Sequence, residues 1–397
     1  MNVEKIRQDF PVLRTGVTYF DSACMSLKPR QVVEAQNAYY EEYSGCAGRS
    51  LHKLGKKTEE KFEEARQKVA KFVGAAANEV VWTRNTTEAI NLVAKTLDFS
   101  KKNKVVTSNM EHHSALLPFL VLAKQGKLKV EYVMADAEGV THAEDWREKI
   151  DGQTRLVVAH HTTNSVGTRV PLKEVIKAAH DNDALILVDA AQGVPHVETN
   201  FRKTDADFLA FSGHKMLGPT GTGCLLAKAK LLEELSTFMV GGETVEHVSL
   251  DSVTFLKPPQ KFEAGLQNYA GAIGLGAACD YLTRLGMNNV EAHEKKLAKK
   301  LFEALSATGA KIYGPSEVKN RSALAAFNVV KARPHEVAMM LDKTANVAVR
   351  SGLFCAEPAM VHFGAPQGAV RASLYLYNTE AEIDYFRESL EKIAKLY

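Results

Sequence analysis

No sign of charge dominates this sequence, no apolar run in it is long, and no cysteines are paired by spacing. Lys+Arg number 50 against Asp+Glu 47, mixed along the whole chain, so the net charge of +3 offers no electrostatic footprint for nucleic acid or anionic lipid. The longest apolar stretch, Ala115 to Ala123, falls far short of the roughly 20 residues a spanning helix needs and contains Pro118. Met1 to Phe10 carries Glu4 and Asp9 and lacks the apolar centre of a secretory signal. These absences predict a soluble, cytoplasmic protein that binds neither nucleic acid nor membrane. The five cysteines, Cys24, Cys46, Cys224, Cys279 and Cys355, are odd in number, dispersed, and include no CxxC pair. That argues against a disulfide framework and a zinc site, and leaves at least one free thiol. Internal repeats and low-complexity tracts are missing too.

What remains is an ordinary globular composition, 45% hydrophobic and 24% charged over 397 residues, enough for a large α/β domain and a smaller companion. Between Glu79 and Lys228, short β-branched runs alternate with helical patterns: EVVWT, KVVTS, KVEYVM, RLVVAHH, ALILVDA, DFLAFS and GCLLAK. Several are apolar almost throughout, the mark of strands covered by helices on both faces of a mostly parallel sheet. Thr58 to Val73 reads as a surface helix, the polar GGETVEHVSLDSVTFLKPPQ as an excursion or hairpin, and a long helix is expected from near Ala270. From about Leu285 the pattern becomes helix, strand, helix and a final helix. The expected division is an amino-terminal segment (1–20), a large ligand-binding α/β domain (21–284) and a small α+β domain (285–397).

Open α/β sheets bind ligands beyond the carboxyl ends of their strands. Those positions hold Asn85-Thr86-Thr87-Glu88, Glu111-His112-His113, Asn164, Asp189 with Gln192, and Ser212-Gly213-His214-Lys215. Asn85 and Glu88 have the spacing of a capped helix start, whose free N–H groups and two hydroxyls would also hold a phosphate. Asp189 alone reads equally as a turn residue, and Lys215 alone as a solvated lysine. A desolvated lysine amine, however, makes Schiff bases with carbonyls. Together a phosphate-binding helix start, a strand-end acid and such a lysine meet the requirements of pyridoxal 5′-phosphate. The remaining histidines, His113, His160, His161, His180 and His196, show no metal-ligand spacing, and GPTGTG (218–223) lacks the lysine and hydroxyl of a P-loop.

VDAAQ, FSGHKMLGPTGTGCL, FEAG, RSGLFC and RASLYLYNT resemble the class V pyridoxal-phosphate enzymes of fold type I, and most of all the group II, SUF-type cysteine desulfurases. The resemblance runs from Tyr19 to Asn378. It implies Lys215 as the Schiff-base lysine and Asp189 as the acid that keeps the pyridinium nitrogen protonated. Gln192 would bond the ring's phenolic oxygen, His112 would stack on the ring and shuttle a proton, and Ala191 would pack on the opposite side. Thr86, Thr87, Ser212 and His214 would hold the phosphate; Asn164 and Arg371 the substrate carboxylate; Arg49 and Arg350 would complete the pocket.

By the same resemblance, Cys355 takes the sulfur of L-cysteine as a persulfide, with release of L-alanine, for iron–sulfur cluster assembly or other sulfur delivery to an acceptor or scaffold protein of a SUF-type system. It further implies a homodimer and no metal. By itself a cysteine next to Leu353 and Phe354 reads as a small buried hydrophobe. Three departures from the group II pattern stand out. Leu353 and Phe354 replace two histidines, which predicts a sluggish thiol unless a partner helps. Leu266 replaces a threonine that reaches the other subunit's phosphate, a bond that Gln267 or Asn268 would have to supply. Cys24 replaces an alanine near the substrate. Selenocysteine lyase, another class V lyase or epimerase with Cys355 incidental, and a non-catalytic interaction protein are the competing readings.

Overall fold

The seven short runs between Glu79 and Lys228 form one sheet. In the computed structural model, which describes residues 1–48 and 50–397 apart from the Asn320 side chain, they are β1 (Val80–Thr83), β2 (Lys104–Ser108), β3 (Lys129–Val133), β4 (Thr154–His160), β5 (Leu185–Asp189), β6 (Phe208–Ser212) and β7 (Gly223–Ala227). Hydrogen-bonded neighbours run β1-β7-β6-β5-β4-β2-β3. β7 lies antiparallel to β1 and β6, and the other pairings are parallel. The expectation of a mostly parallel sheet is met, for the reason the runs suggested. Along β5, Ile186 and Val188 enter one apolar core and Leu187 another; along β7, Cys224 and Leu226 enter the first and Leu225 and Ala227 the second. A strand buried on both faces has no solvent side on which to place polar residues.

Helices α1 (Arg30–Glu42), α2 (Lys53–Val73) and α5 (Tyr269–Leu285) lie on the first core; α3 (Thr86–Thr96) and α4 (His113–Lys124) flank the second. On α2, Phe62, Ala65, Arg66, Val69, Ala70 and Val73 are buried at steps of three and four, as an amphipathic helix requires. α5 can approach α2 closely because it carries Gly276, where an added Cβ would come within 3.0 Å of the Ala65 Cα. The polar excursion is a hairpin of β8 (Val245–Val248) and β9 (Val253–Phe255).

The second sheet contains β10 (Lys311–Tyr313), β11 (Leu324–Asn328), β12 (Arg350–Gly352) and β13 (Ala369–Ser373), in the order β10-β11-β13-β12 and antiparallel throughout. Its core is closed by α6 (Met287–Ala307), α7 (Pro334–Ala345) and α8 (Glu380–Ala394). Phe20 packs into that core, and Thr18–Tyr19 pairs in parallel with Val347–Ala348. The opposite side of this sheet meets the large one through an apolar cluster that includes Met110, Ala326, Phe354 and Ala369.

One buried ion pair ties the large unit together. Arg66 Nη1 and Nη2 donate to Glu263 Oε1 and Oε2 at 2.7 and 2.9 Å, Arg66 Nη1 also donates to Val80 O at 2.9 Å, and Glu263 Oε1 accepts the Trp82 N–H at 2.9 Å. Removing Glu263 leaves the buried Arg66 with only the partly exposed Glu63, which accepts from Arg66 Nε at 3.1 Å, and strips the Trp82 N–H of its acceptor. Glu263→Ala is therefore expected to destabilise the protein by about 3–5 kcal/mol, measured as a lowered urea midpoint, whereas replacing both residues by apolar ones costs less. An unchanged midpoint in Glu263→Ala contradicts this.

Candidate active site

The carboxyl ends of five strands open into one cleft. Asn85, Thr86 and Thr87 follow β1; Met110, His112 and Ser114 follow β2; β4 contributes His160 and the segment after it Asn164. Asp189 closes β5, with Ala191 and Gln192 behind it, and Ser212, His214 and Lys215 come at and after the end of β6. Arg350, Phe354, Cys355 and Arg371 enter from the second sheet and its connections. Each residue to which the resemblance gave a cofactor, substrate or sulfur role reaches this cleft apart from Arg49, which lies outside the described residues, whereas Glu88, Glu111, His113 and Leu266 do not line it.

One corner is made for an anion. Asn85 Oδ1 accepts the Glu88 N–H at 3.0 Å, so Asn85 caps α3 as its spacing suggested. The helix start offers partial positive charge to the cleft. Beside it the Thr86 N–H donates to Ser212 Oγ at 2.9 Å, Thr86 Oγ1 and Ser212 Oγ lie 2.7 Å apart, and Thr87 Oγ1 and Ser114 Oγ also 2.7 Å. Hydroxyls that bond one another can rotate towards an incoming oxyanion. β7 passes this corner at Gly223, where a Cβ would meet the Asn85 Cα at 2.7 Å.

Charge is desolvated at the centre. Asp189 is buried and accepts the Ala191 N–H at 2.9 Å; burial raises its carboxyl above the usual range, while that N–H and Lys215 pull the other way. Lys215 is half-buried in the cleft, but its amine is desolvated enough to lie below the usual lysine range, against the pull of Asp189. Burial, reinforced by the charge on Lys215, lowers His112 to about 3. His112 Nδ1 accepts the Ser114 N–H at 3.1 Å, so the neutral ring carries its hydrogen on Nε2. His214 falls to about 4 by burial and the same neighbouring charge. Gln192 Nε2 donates to Ala23 O at 2.7 Å, which leaves its second N–H for a ligand.

The second sheet brings two arginines side by side. β12 and β13 pair Arg350 with Arg371 in register, although 20 residues separate them in the chain. Arg371 is buried; its Nη1 donates to Asn164 O at 2.9 Å and Nη2 to Asp21 Oδ1 at 3.2 Å, while Nε and the Asn164 Oδ1 are buried without a partner. The Arg371 guanidinium also lies 5.0 Å from the centre of the Phe354 ring.

The turn that carries Cys355 is held from three sides. Phe354 and Cys355 adopt φ of +56° and +53°, left-handed values that cost about 1–3 kcal/mol each in residues other than glycine. Asn164 Nδ2 donates to Phe354 O at 2.7 Å, the His113 N–H donates to Cys355 O at 2.7 Å, and the Glu357 N–H donates to His113 Nε2 at 3.3 Å. Phe354 turns inward while Cys355 stays exposed, so the apolar neighbours anchor the turn and do not enclose the thiol. The reading of Cys355 as a buried hydrophobe is thereby excluded. Gln267 and Asn268, considered above as stand-ins for the missing threonine, bond within the chain: Gln267 Nε2 to Ala264 O at 3.2 Å and Asn268 Nδ2 to Gly221 O at 3.1 Å.

Sequence reasoning missed Asp21, Met110, the inward anchoring of Phe354 and the supporting role of His113. Asp21 lies inside the stretch from Tyr19 to Asn378 that the resemblance covers, but its ion pair with Arg371 required knowing which strand lay beside it.

Comparison with known proteins agrees with this geometry. Residues 18–386 match the model of the family described as aminotransferase class-V. A probable cysteine desulfurase of Methanothermobacter thermautotrophicus is 44% identical over 99% of this chain and 98% of its own length. Among solved structures, the apo cysteine desulfurase of Thermococcus onnurineus superposes with a TM-score of 0.96 at 41% identity, covering 99% of this chain and 98% of that one. Cysteine desulfurase CsdA of Escherichia coli superposes with a TM-score of 0.92 at 33% identity, covering 100% and 99%.

The placement of the thiols makes an ordering testable. Cys355 is exposed, Cys24 and Cys46 are half-buried, and burial pushes the thiols of Cys224 and Cys279 up. Iodoacetamide labelling with peptide mapping should modify Cys355 first, Cys24 and Cys46 more slowly, and Cys224 and Cys279 only after denaturation. Early labelling of Cys279 contradicts the structure.

Proposed function

This chain belongs to the class-V aminotransferase family, and we propose from that premise that it is a pyridoxal-phosphate-dependent cysteine desulfurase that uses Cys355 as its sulfur acceptor. The observation that carries the reading is the convergence of a desolvated lysine, a buried strand-end acid and an exposed cysteine on one cleft with an anion-binding helix start. The chain's donors suit the cofactor. The hydroxyls of Thr86, Thr87 and Ser212 flank the start of α3, and Asp189 is an acid that burial leaves in need of a cationic partner. When bound, pyridoxal phosphate supplies a carbonyl that condenses with amines and a cationic ring that withdraws electrons.

The roles of the residues follow from their environments. Desolvation leaves Lys215 with a larger neutral fraction than a surface lysine, so its nitrogen is available as nucleophile and base. Neutral His112 can lie against an aromatic ring without adding positive charge beside Lys215. Arg371 and Arg350, with the second N–H of Asn164, present a fork to the substrate carboxylate. Cys355 stands at the solvent side, where the net reaction is L-cysteine plus the Cys355 thiol giving L-alanine plus the Cys355 persulfide. An exposed thiol on a pinned turn suits transfer of that sulfur to an acceptor protein. A second copy of the chain is the expected cover for Val248, Leu250 and Val253 on the β8–β9 hairpin and for Leu266, all of them exposed.

Alanine formation from L-cysteine with a reductant tests the proposal. The native protein should form alanine, Cys355→Ala should not, and equal activity in both overturns the persulfide role of Cys355. Arg371→Lys keeps the charge but loses the two-pronged geometry, and is expected to raise KM about 10- to 100-fold, the equivalent of one charged hydrogen bond. An unchanged KM removes Arg371 from substrate binding.

A further inference from the structure

Glu111 has no part in the roles above, yet it is fully buried beside them. Its Oε1 accepts from Ser108 Oγ at 2.7 Å, from His160 Nδ1 at 2.7 Å and from the His160 backbone N–H at 3.3 Å. Its Oε2 is buried with no partner. A carboxylate is seldom buried unless paired, and half of this one is left unsatisfied behind the cleft-lining His160.

The sheet order explains why the site needs it. β5, β4 and β2 are consecutive neighbours, and Asp189, His160 and Glu111 stand at or just beyond their carboxyl ends. His160 and Asp189 are register partners on parallel strands about 4.8 Å apart, so both side chains project from the same face. The bond to Glu111 places the ring hydrogen of His160 on Nδ1 and leaves Nε2 for the cleft, which His160 lines. Lys215 after β6 acts directly on Asp189, His161 next along the chain feels the charge of His160, and His112 after β2 and Arg371 from the second sheet line the same cleft. Glu111 supplies negative charge that disfavours loss of a proton from Asp189 or from any base paired with it.

We propose that Glu111 and His160 form a carboxylate–imidazole relay behind Asp189, acting as positioning residues that hold the proton shared by Asp189 and the ring nitrogen of bound pyridoxal phosphate. The inference rests on the cofactor assignment made above. It concerns neither the lysine nor the thiol. Its effect should be local to the ring nitrogen, because Glu111 reaches the cleft only through His160.

The test uses holoenzyme loaded with cofactor labelled with nitrogen-15 in the ring, without substrate, and reads the ring-nitrogen chemical shift across the pH range in which the protein stays folded. Glu111→Gln keeps the shape and removes the charge; His160→Gln keeps a hydrogen-bonding side chain and removes the imidazole. Each is expected to lower the midpoint for loss of the ring proton by at least one pH unit, a tenfold change. The double variant should shift it no further than the larger single one, as coupled residues do. Midpoints equal to the native value, or shifts that add, overturn the relay. Should Glu111→Gln fail to fold, His160→Gln alone decides by the same midpoint. A native protein that takes up no cofactor overturns the cofactor assignment and the relay together, whereas a loaded protein with unshifted variants overturns the relay alone.

Discussion

Desolvation of opposite charges at one edge of a parallel sheet governs the rest of this structure. Asp189 and Lys215 both lie where burial works against their ionised forms, one raised and the other lowered. In water such residues would be an ordinary acid and base. At the ends of β5 and β6, walled by apolar cores on both faces of the sheet, they become reactive groups held close together. The apolar strands are therefore as much a condition of the chemistry as of the fold.

The second sheet completes the site and restrains it. Its β12–β13 pairing aligns Arg350 with Arg371, and Arg371 reaches across to the backbone of Asn164 and to Asp21. Asn164 in turn grips the Phe354 carbonyl, so the corner of paired arginines and the thiol-bearing turn share one residue. The left-handed conformations of Phe354 and Cys355 persist because these bonds outweigh their cost. Phe354, where the resemblance led to the expectation of a histidine, has a physical meaning of its own: it is an inward anchor stacked under Arg371.

Much of this was legible in the sequence because two-sided burial leaves a plain signal. All seven strands of the large sheet appear as short runs, five of them rich in β-branched residues and two, FLAFS and GCLLA, apolar without any, and the strand ends direct attention to the reactive residues without reference to any relative. The family resemblance then supplied roles for Asp189, Lys215 and Cys355 that local spacing left open. What stayed hidden depends on pairings between distant segments. Nothing near Glu111 announces His160 as its partner, since that contact follows from β2 and β4 being neighbours across 49 residues of chain. His113 looked like an incidental neighbour of His112, and its hold on the Cys355 turn emerges only once that turn is seated against the start of α4.

Borohydride reduction of the yellow holoenzyme, followed by peptide mapping, is the most direct test of the claim that the strand-edge lysine carries the cofactor. Lys28 is the natural internal control, since burial lowers it to about 8 and its ammonium bonds His214 O at 3.1 Å. The account predicts a pyridoxyl group on Lys215 and none on Lys28. A label on Lys28, or one spread over surface lysines, contradicts it.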